Sequence, residues 1–148
     1  MGLHLGDIVS YLGIDYLVEG FIDYALADRV LHLARIVGPD QVRFLEPPPD
    51  ATVDRVLILG EVENLEITTP PPSAIYHLGE SYLLRLQGTA EVGVSGEVAG
   101  RAAGTCKLWR FRAAGDQFLQ IEEWPDRVRT LVGASVHEDM LEARSQSA

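Results

Sequence analysis

The sequence has a single cysteine, and its four histidines stand far apart. Cys106 has no partner for an internal disulfide. No nearby histidine or predicted helix N-terminus would lower its pKa, so we interpret it as a small buried apolar side chain, not a nucleophile. Neither histidine nor cysteine recurs at metal-binding spacing, which argues against a metal site. We expect no cofactor; the histidines are His4, His32, His77 and His137.

Clustered positive charge is also missing. The chain carries 12 Lys and Arg against 22 Asp and Glu, a net charge of −10, and Lys107 is its one lysine. Nucleic-acid binding needs clustered basic residues, so we expect no nucleic-acid partner. An acidic surface favours cationic partners such as polyamines and metal ions, or serves solubility alone.

No long apolar run is present. The longest uninterrupted aliphatic stretch, Val56-Leu57-Ile58-Leu59, is too short to span a bilayer. The N-terminus lacks the basic start and apolar core of a secretory signal. We therefore expect a cytoplasmic protein without direct membrane insertion, in which any membrane role acts through a partner.

One pattern occurs twice along the chain. Leu12-Gly13-Ile14-Asp15-Tyr16-Leu17 and Leu78-Gly79-Glu80-Ser81-Tyr82-Leu83 share Leu-Gly-x-x-Tyr-Leu, and each copy closes on Phe-Leu followed by acid, at Phe44-Leu45-Glu46 and Phe118-Leu119-Gln120-Ile121-Glu122. The repetition predicts two related β-meander units, 5–46 and 74–136, within one domain covering 1–148. Residues 47–73, flanked by two Pro-Pro-Pro runs, form an acidic connector.

Alternating apolar residues predict about nine to eleven short strands and almost no helix. The fold class is therefore all-β, an antiparallel barrel or two-sheet sandwich, with a short C-terminal helix over 137–144. The spaced glycines 93, 96, 100 and 104 favour tight hairpins and a mobile tip over a phosphate-binding loop, because no helix pattern follows them.

Three acidic residues that close the units are candidate ligand-binding groups: Glu46, Glu122 and Glu123. If a pseudo-twofold relates the units, Glu46 and Glu122 face each other, and paired carboxylates can bind a cation or share a proton. Alternatively, each points to solvent or pairs with a strand arginine such as Arg35, Arg43 or Arg110. The acidic region from Glu46 to Glu66 is a second candidate cation site.

Four aromatic residues lie on one predicted hairpin: Trp109, Phe111, Phe118 and Trp124. By strand parity they can form one aromatic cluster, with core packing as the first interpretation. The alternative makes Trp109 and Trp124 an interface, because aromatic residues are enriched at binding hot spots.

The segments Leu5-Gly6-Asp7-Ile8-Val9, Tyr16-Leu17-Val18-Glu19-Gly20 and Leu78-Gly79-Glu80-Ser81-Tyr82 together resemble a bacterial domain-of-unknown-function family, number 4178. The chain departs from that pattern around Leu31-His32-Leu33, where a tryptophan and further aromatics are common. The resemblance implies an all-β domain without an assigned activity. It also implies an accessory role near small membrane proteins, envelope-stress proteins or aminopropyltransferase-like proteins.

Two functions follow as hypotheses. The first is a non-enzymatic protein-interaction or scaffold module whose unknown partner is tied to envelope stress or the membrane, with a homodimer through an exposed sheet edge as a further expectation. The alternative is a module that binds a small cation or polyamine on its acidic surface.

Overall fold

The alternating segments form eleven strands in the computed structural model, which describes residues 1–63, 65 and 67–146. The strands are β1 (Ile8–Tyr11), β2 (Ile14–Ala25), β3 (Val30–Val37), β4 (Val42–Glu46), β5 (Arg55–Glu61), β6 (Ala74–His77), β7 (Glu80–Gly96), β8 (Gly104–Ala113), β9 (Gln117–Glu123), β10 (Val128–His137) and β11 (Leu141–Arg144). No helix in the described part of the chain is long and apolar enough to cross a membrane.

The strands build one antiparallel sheet that closes on itself. Its order is β11-β1-β2-β3-β4-β5-β10-β9-β8-β7-β6, and a further pairing joins β7 to β2. Eight strands, β2–β5 and β7–β10, therefore form a closed barrel, while β1, β11 and β6 extend beyond the closing seam. The all-β prediction is confirmed, and the architecture is the barrel.

The strand order is symmetric about two seams. The sheet contains two sets of five strands, β1–β5 and β6–β10, and within each set neighbours in sequence are neighbours in the sheet. The two sets meet where β2 pairs with β7 and where β5 pairs with β10. Each Leu-Gly pair forms a two-residue hairpin turn, with positive φ at Leu12, Gly13, Leu78 and Gly79, as a type I′ turn requires. This is the arrangement that a duplication would produce; the duplication itself stays a prediction.

Apolar side chains fill three separate clusters. The first takes residues from all eight barrel strands, among them Ile22, Phe44 and Leu131, so it occupies the lumen. In the second, the β1–β2 hairpin covers the outer face of β3–β5, and in the third β6 and the start of β7 cover β8–β10. Because successive residues on a strand face opposite sides, Leu33 lies in the lumen while Ala34 lies in an outer cluster.

The C-terminal segment differs from the predicted helix. It contains a single 3₁₀ turn, Glu138–Met140, followed by strand β11. The ring of His137 accepts a hydrogen bond from the backbone N–H of Asp139 at the start of this turn. Pairing with β1 then satisfies the backbone of β11 and buries Leu141 against the second cluster, which a short helix would not do.

The seam between β2 and β7 depends on two glycines that face each other, Gly20 and Gly96. A Cβ at Gly20 would lie 2.8 Å from Val98 Cγ1 and closer still to the carbonyl oxygen of Glu97. Backbone atoms have little room to move, so the barrel closes only because this position lacks a side chain.

We expect Gly20→Ala to lower the free energy of unfolding by about 2 kcal/mol or more, because the added methyl group overpacks the seam. Gly93→Ala, on β7 nearby, is the matched control, since a Cβ there meets nothing within 4 Å; it should be neutral or stabilise by up to about 1 kcal/mol. Urea unfolding of both variants measures the difference, and equal midpoints would contradict the seam's dependence on Gly20.

Candidate functional site

The lumen contains a buried polar network centred on strand β9. Alternation along β9 directs Leu119 and Ile121 to the outer cluster and turns Gln120 and Glu122 inward. Both inward residues are fully buried. A buried carboxylate is destabilising unless hydrogen bonds and opposite charge compensate it, so its partners define the site.

Glu122 accepts four hydrogen bonds from side chains. Its Oε1 accepts from Arg101 Nε at 3.0 Å and from Trp124 Nε1 at 2.9 Å. Its Oε2 accepts from the Tyr24 hydroxyl at 2.8 Å and from Gln120 Nε2 at 2.9 Å. The one carboxylate thus ties β9 to β2 and to the connection between β7 and β8.

Glu46 lies at the opposite end of the same network. It accepts two hydrogen bonds from Arg110 Nη1, at 2.9 and 3.1 Å, and Arg110 also donates to Gln120 Oε1 at 2.6 and 3.0 Å. Glu46 and Glu122 are therefore linked through Arg110 and Gln120 rather than directly. The cation site predicted at these residues stays a prediction, and a cation would have to displace both arginines to reach the pair.

Of the remaining candidates that the structure describes, Trp124 donates to this network, whereas Glu123 and Trp109 do not. Glu123 is half-buried on β9, and Glu66, the end of the predicted acidic region, lies outside the described residues. Trp109 and Trp124 are buried, at 7% and 9% exposure. The single aromatic cluster is wrong: Trp109 and Phe111 belong to an outer cluster, whereas Trp124 and Phe118 pack in the lumen.

Cys106 is a free, buried thiol of the lumen cluster. Burial, together with the nearby Glu122 charge, raises its pKa to about 12. Burial and the same carboxylate also raise the pKa of Tyr24 well above its usual range. Both groups therefore stay protonated at neutral pH, and neither is poised as a nucleophile or base. Among the described residues, no group of three or more His, Cys, Asp or Glu is placed to hold a metal.

An open sheet edge is the second candidate site. The outer edge of β1 is occupied by β11, whereas β6 pairs only with β7 in the described chain. The backbone bond from Leu84 N to Ser73 O fixes the alternation of this ladder. Ile75 and His77 therefore bond to β7, while the N–H and C=O of Tyr76 face away from it.

Side chains beside this edge are exposed and apolar. Tyr76 is 76% exposed and Leu78, in the adjoining turn, 87%. The sequence analysis expected an exposed sheet edge but did not locate it at β6, and it placed the candidate interface at Trp109 and Trp124 instead. The repeated Leu-Gly pair is the sequence feature that marks both hairpins. Only the β1–β2 hairpin has a further strand, β11, paired beside it.

The chain belongs to the family described as a domain of unknown function, DUF4178. The family model matches residues 4–138, which include ten of the eleven strands and the whole lumen network. No curated protein and no solved structure matches the chain.

We expect Glu122→Gln to lower the free energy of unfolding by about 3 kcal/mol or more, because it leaves the Arg101 guanidinium buried without its carboxylate. The neighbouring Glu123→Gln is the control and should change it by less than about 0.5 kcal/mol. Urea unfolding measures both. Adding Arg101→Met to Glu122→Gln should restore part of the loss, and a double variant no more stable than the single one would contradict the charge argument.

Cys106 should make stability depend on alkaline pH. Its pKa is about 12 in the fold against 9.0 unperturbed, so the unfolded chain loses this proton first and stability falls as pH rises through that window. The slope is on the order of 1 kcal/mol per pH unit. We expect Cys106→Ala to reduce the slope between pH 9 and 12, measured by urea unfolding; identical slopes in both proteins would contradict it.

Proposed function

We propose that this chain is a non-enzymatic protein-interaction module that binds an extended segment of a partner protein as an added strand on β6. The observation that carries the proposal is that one of two equivalent hairpins has a further strand paired beside it and the other does not. β1 and β6 each begin a hairpin with a Leu-Gly turn, but only β1 has a further strand beside it.

The covered edge indicates what the open edge would accept. On β1, the partner strand β11 pairs Leu141 with Tyr11 and Ala143 with Val9; Leu141 is buried, and the other three residues of β11 are exposed. Ile75 is the counterpart of Val9, because it is buried at the same distance from its turn. The expected occupant is therefore an antiparallel segment of about four residues with aliphatic side chains at alternate positions.

Edge pairing alone gives little affinity over so short a strand. Tyr76 and Leu78 supply apolar area for contacts beyond the backbone hydrogen bonds, and aromatic anchors dominate many interfaces. Leu78 also holds a positive φ of 48°, which disfavours any residue with a branched or bulky side chain. Leu12 in the equivalent turn has a φ of 51° and is 69% exposed, so the strained turn is common to both hairpins, and the exposed Tyr76 distinguishes the open edge.

The lumen supports the non-enzymatic part of the proposal. Its ionisable groups are either paired or protonated. Glu122 accepts from four donors, Glu46 is paired with Arg110, and Cys106 stays protonated. No nucleophile–base pair emerges from these contacts. The family neighbourhood described above favours a segment of a membrane-associated, envelope-stress protein as the partner.

A proline at position 76 tests the edge directly. Tyr76→Pro removes the outward N–H without taking a bond from the β6–β7 ladder, and Tyr76→Thr removes the same side chain but keeps the N–H. With the partner first identified by photo-cross-linking from position 78 in the host, we expect its purified segment to bind the Pro variant at least about fivefold more weakly than the Thr variant. Titration calorimetry measures both affinities.

A photo-cross-linker at Leu12 is the matched control, because that turn adjoins the covered edge of β1. It should give no cross-link to the same segment. Equal affinities of the Pro and Thr variants would contradict strand addition. A cross-link from position 78 to a second copy of this chain, with a dimer in solution, would replace the partner protein by a homodimer.

A further inference from the structure

One mouth of the barrel gathers much of the chain's positive charge. A groove of about 790 Å³ opens there between the ends of β3, β4, β5 and β10, and four of its lining residues are Arg35, Arg43, Arg127 and Arg129. A fifth arginine, Arg101, is fully buried beneath it, in contact with two lining residues, Phe44 and Glu61. Nearly half of the eleven arginines thus meet at one site in a protein of net charge −10.

Three of the arginines at this mouth share one acid, Glu61. The single carboxylate of Glu61 lies 3.0 Å from Arg129, 3.5 Å from Arg127 and 3.7 Å from Arg101. Arg43 has no acid within ion-pair distance among the described residues, and its Nη1 donates to the carbonyl of Val42 instead. Gly60 leaves room for that guanidinium, since a Cβ there would lie 3.3 Å from Arg43 Nη1.

Several buried donors of these arginines have no acceptor. Arg35 uses Nη1 to bind Glu19 at 2.8 Å, but its Nε has no hydrogen-bond partner in the described structure. Arg101 binds Glu122 through Nε, while its Nη1 and Nη2 are likewise unpaired and buried. Buried N–H groups without acceptors are rare in folded proteins and call for an explanation. Because Arg35 lines the groove, the negative charge of an anion bound there would stabilise this buried, unsatisfied donor electrostatically.

The geometry favours a small anion over a large one. Guanidinium groups match carboxylate and phosphate oxygens with paired hydrogen bonds. The groove has the volume of a small-molecule site. Asp40 and Glu63 also line it, and neither has an ion-pair partner in the described structure. These acids would repel an extended polyanion such as a nucleic acid or an anionic membrane surface, but leave room for one compact group.

We propose that this groove, formed by Arg35, Arg43, Arg127 and Arg129, binds a small oxyanion, the phosphate or carboxylate group of a low-molecular-weight ligand. Arg43 and Arg127 contact the anion directly. Arg129 and Arg127 share the carboxylate of Glu61. A bound anion would give Arg127 a second negatively charged partner. The site is far from β6 along the sheet, and it is independent of the strand-addition proposal.

Titration calorimetry with inorganic phosphate and with citrate, at fixed ionic strength, tests the groove. We expect saturable binding of at least one, weakened about tenfold or more in Arg43→Gln and in Arg127→Gln, each of which removes one charged donor. Arg29→Gln is the matched control: Arg29 is 54% exposed and paired with one acid at 3.3 Å, and Arg127 is 52% exposed and paired at 3.5 Å. The Arg29→Gln variant should bind the anion with the affinity of the unmodified protein.

Nitrogen-15 NMR of the unmodified protein gives a readout that does not depend on variants. The Arg35 Nε–H resonance should shift on addition of the bound anion, while that of Arg29 stays in place. Preference for phosphate or for citrate identifies the anion's chemistry. Absence of saturable binding of both anions below about 10 mM, or equal weakening in Arg29→Gln and Arg127→Gln, would overturn the proposal.

Discussion

The buried carboxylate of Glu122 is the interaction on which the interior depends. Its four donors come from β2, from β9 and the residue that follows it, and from the β7–β8 connection. One of those segments, β2, is a partner in the closing seam, and another is the connection that follows the second partner, β7. A buried charge tolerates few alternative arrangements, because each lost donor leaves it less compensated. The network therefore selects one packing of the lumen that apolar contacts alone would leave less defined.

The charged side chains of the lumen network are hydrogen-bonded to one another and to Gln120. Charges there are matched in a chain, from Glu46 through Arg110 and Gln120 to Glu122 and Arg101. In the described part of the chain, buried donors without acceptors belong to arginines at the arginine-lined mouth, and β6 is an end strand of the sheet with outward N–H groups. Both proposals lie at these limits of the barrel for one reason: unpaired donors remain there.

Much of the fold could be predicted from the sequence, and most of the site could not. Alternating apolar residues predicted about nine to eleven strands and almost no helix, and the described residues form eleven strands, with the predicted aromatic hairpin as β8 and β9. The partner of Glu46 was predicted only as one of several arginines, since alternation does not reveal which residues 64 positions apart become neighbours. The connection after Gly96, expected as a hairpin tip, instead buries Arg101, because Glu122 compensates its charge.

The two equivalent hairpins differ at their outer strands: β11 pairs with β1, whereas no further strand among the described residues pairs with β6. An unpaired edge strand is a liability, because its free N–H and C=O groups can pair with any extended chain. The chain pairs β1 with its own β11, which becomes the edge strand on that side, at the cost of ordering an additional segment. β6 is only four residues long, so non-specific pairing there is weak, and selectivity has to come from side chains. Tyr76 and Leu78 lie at that edge, exposed, where an added strand would cover them.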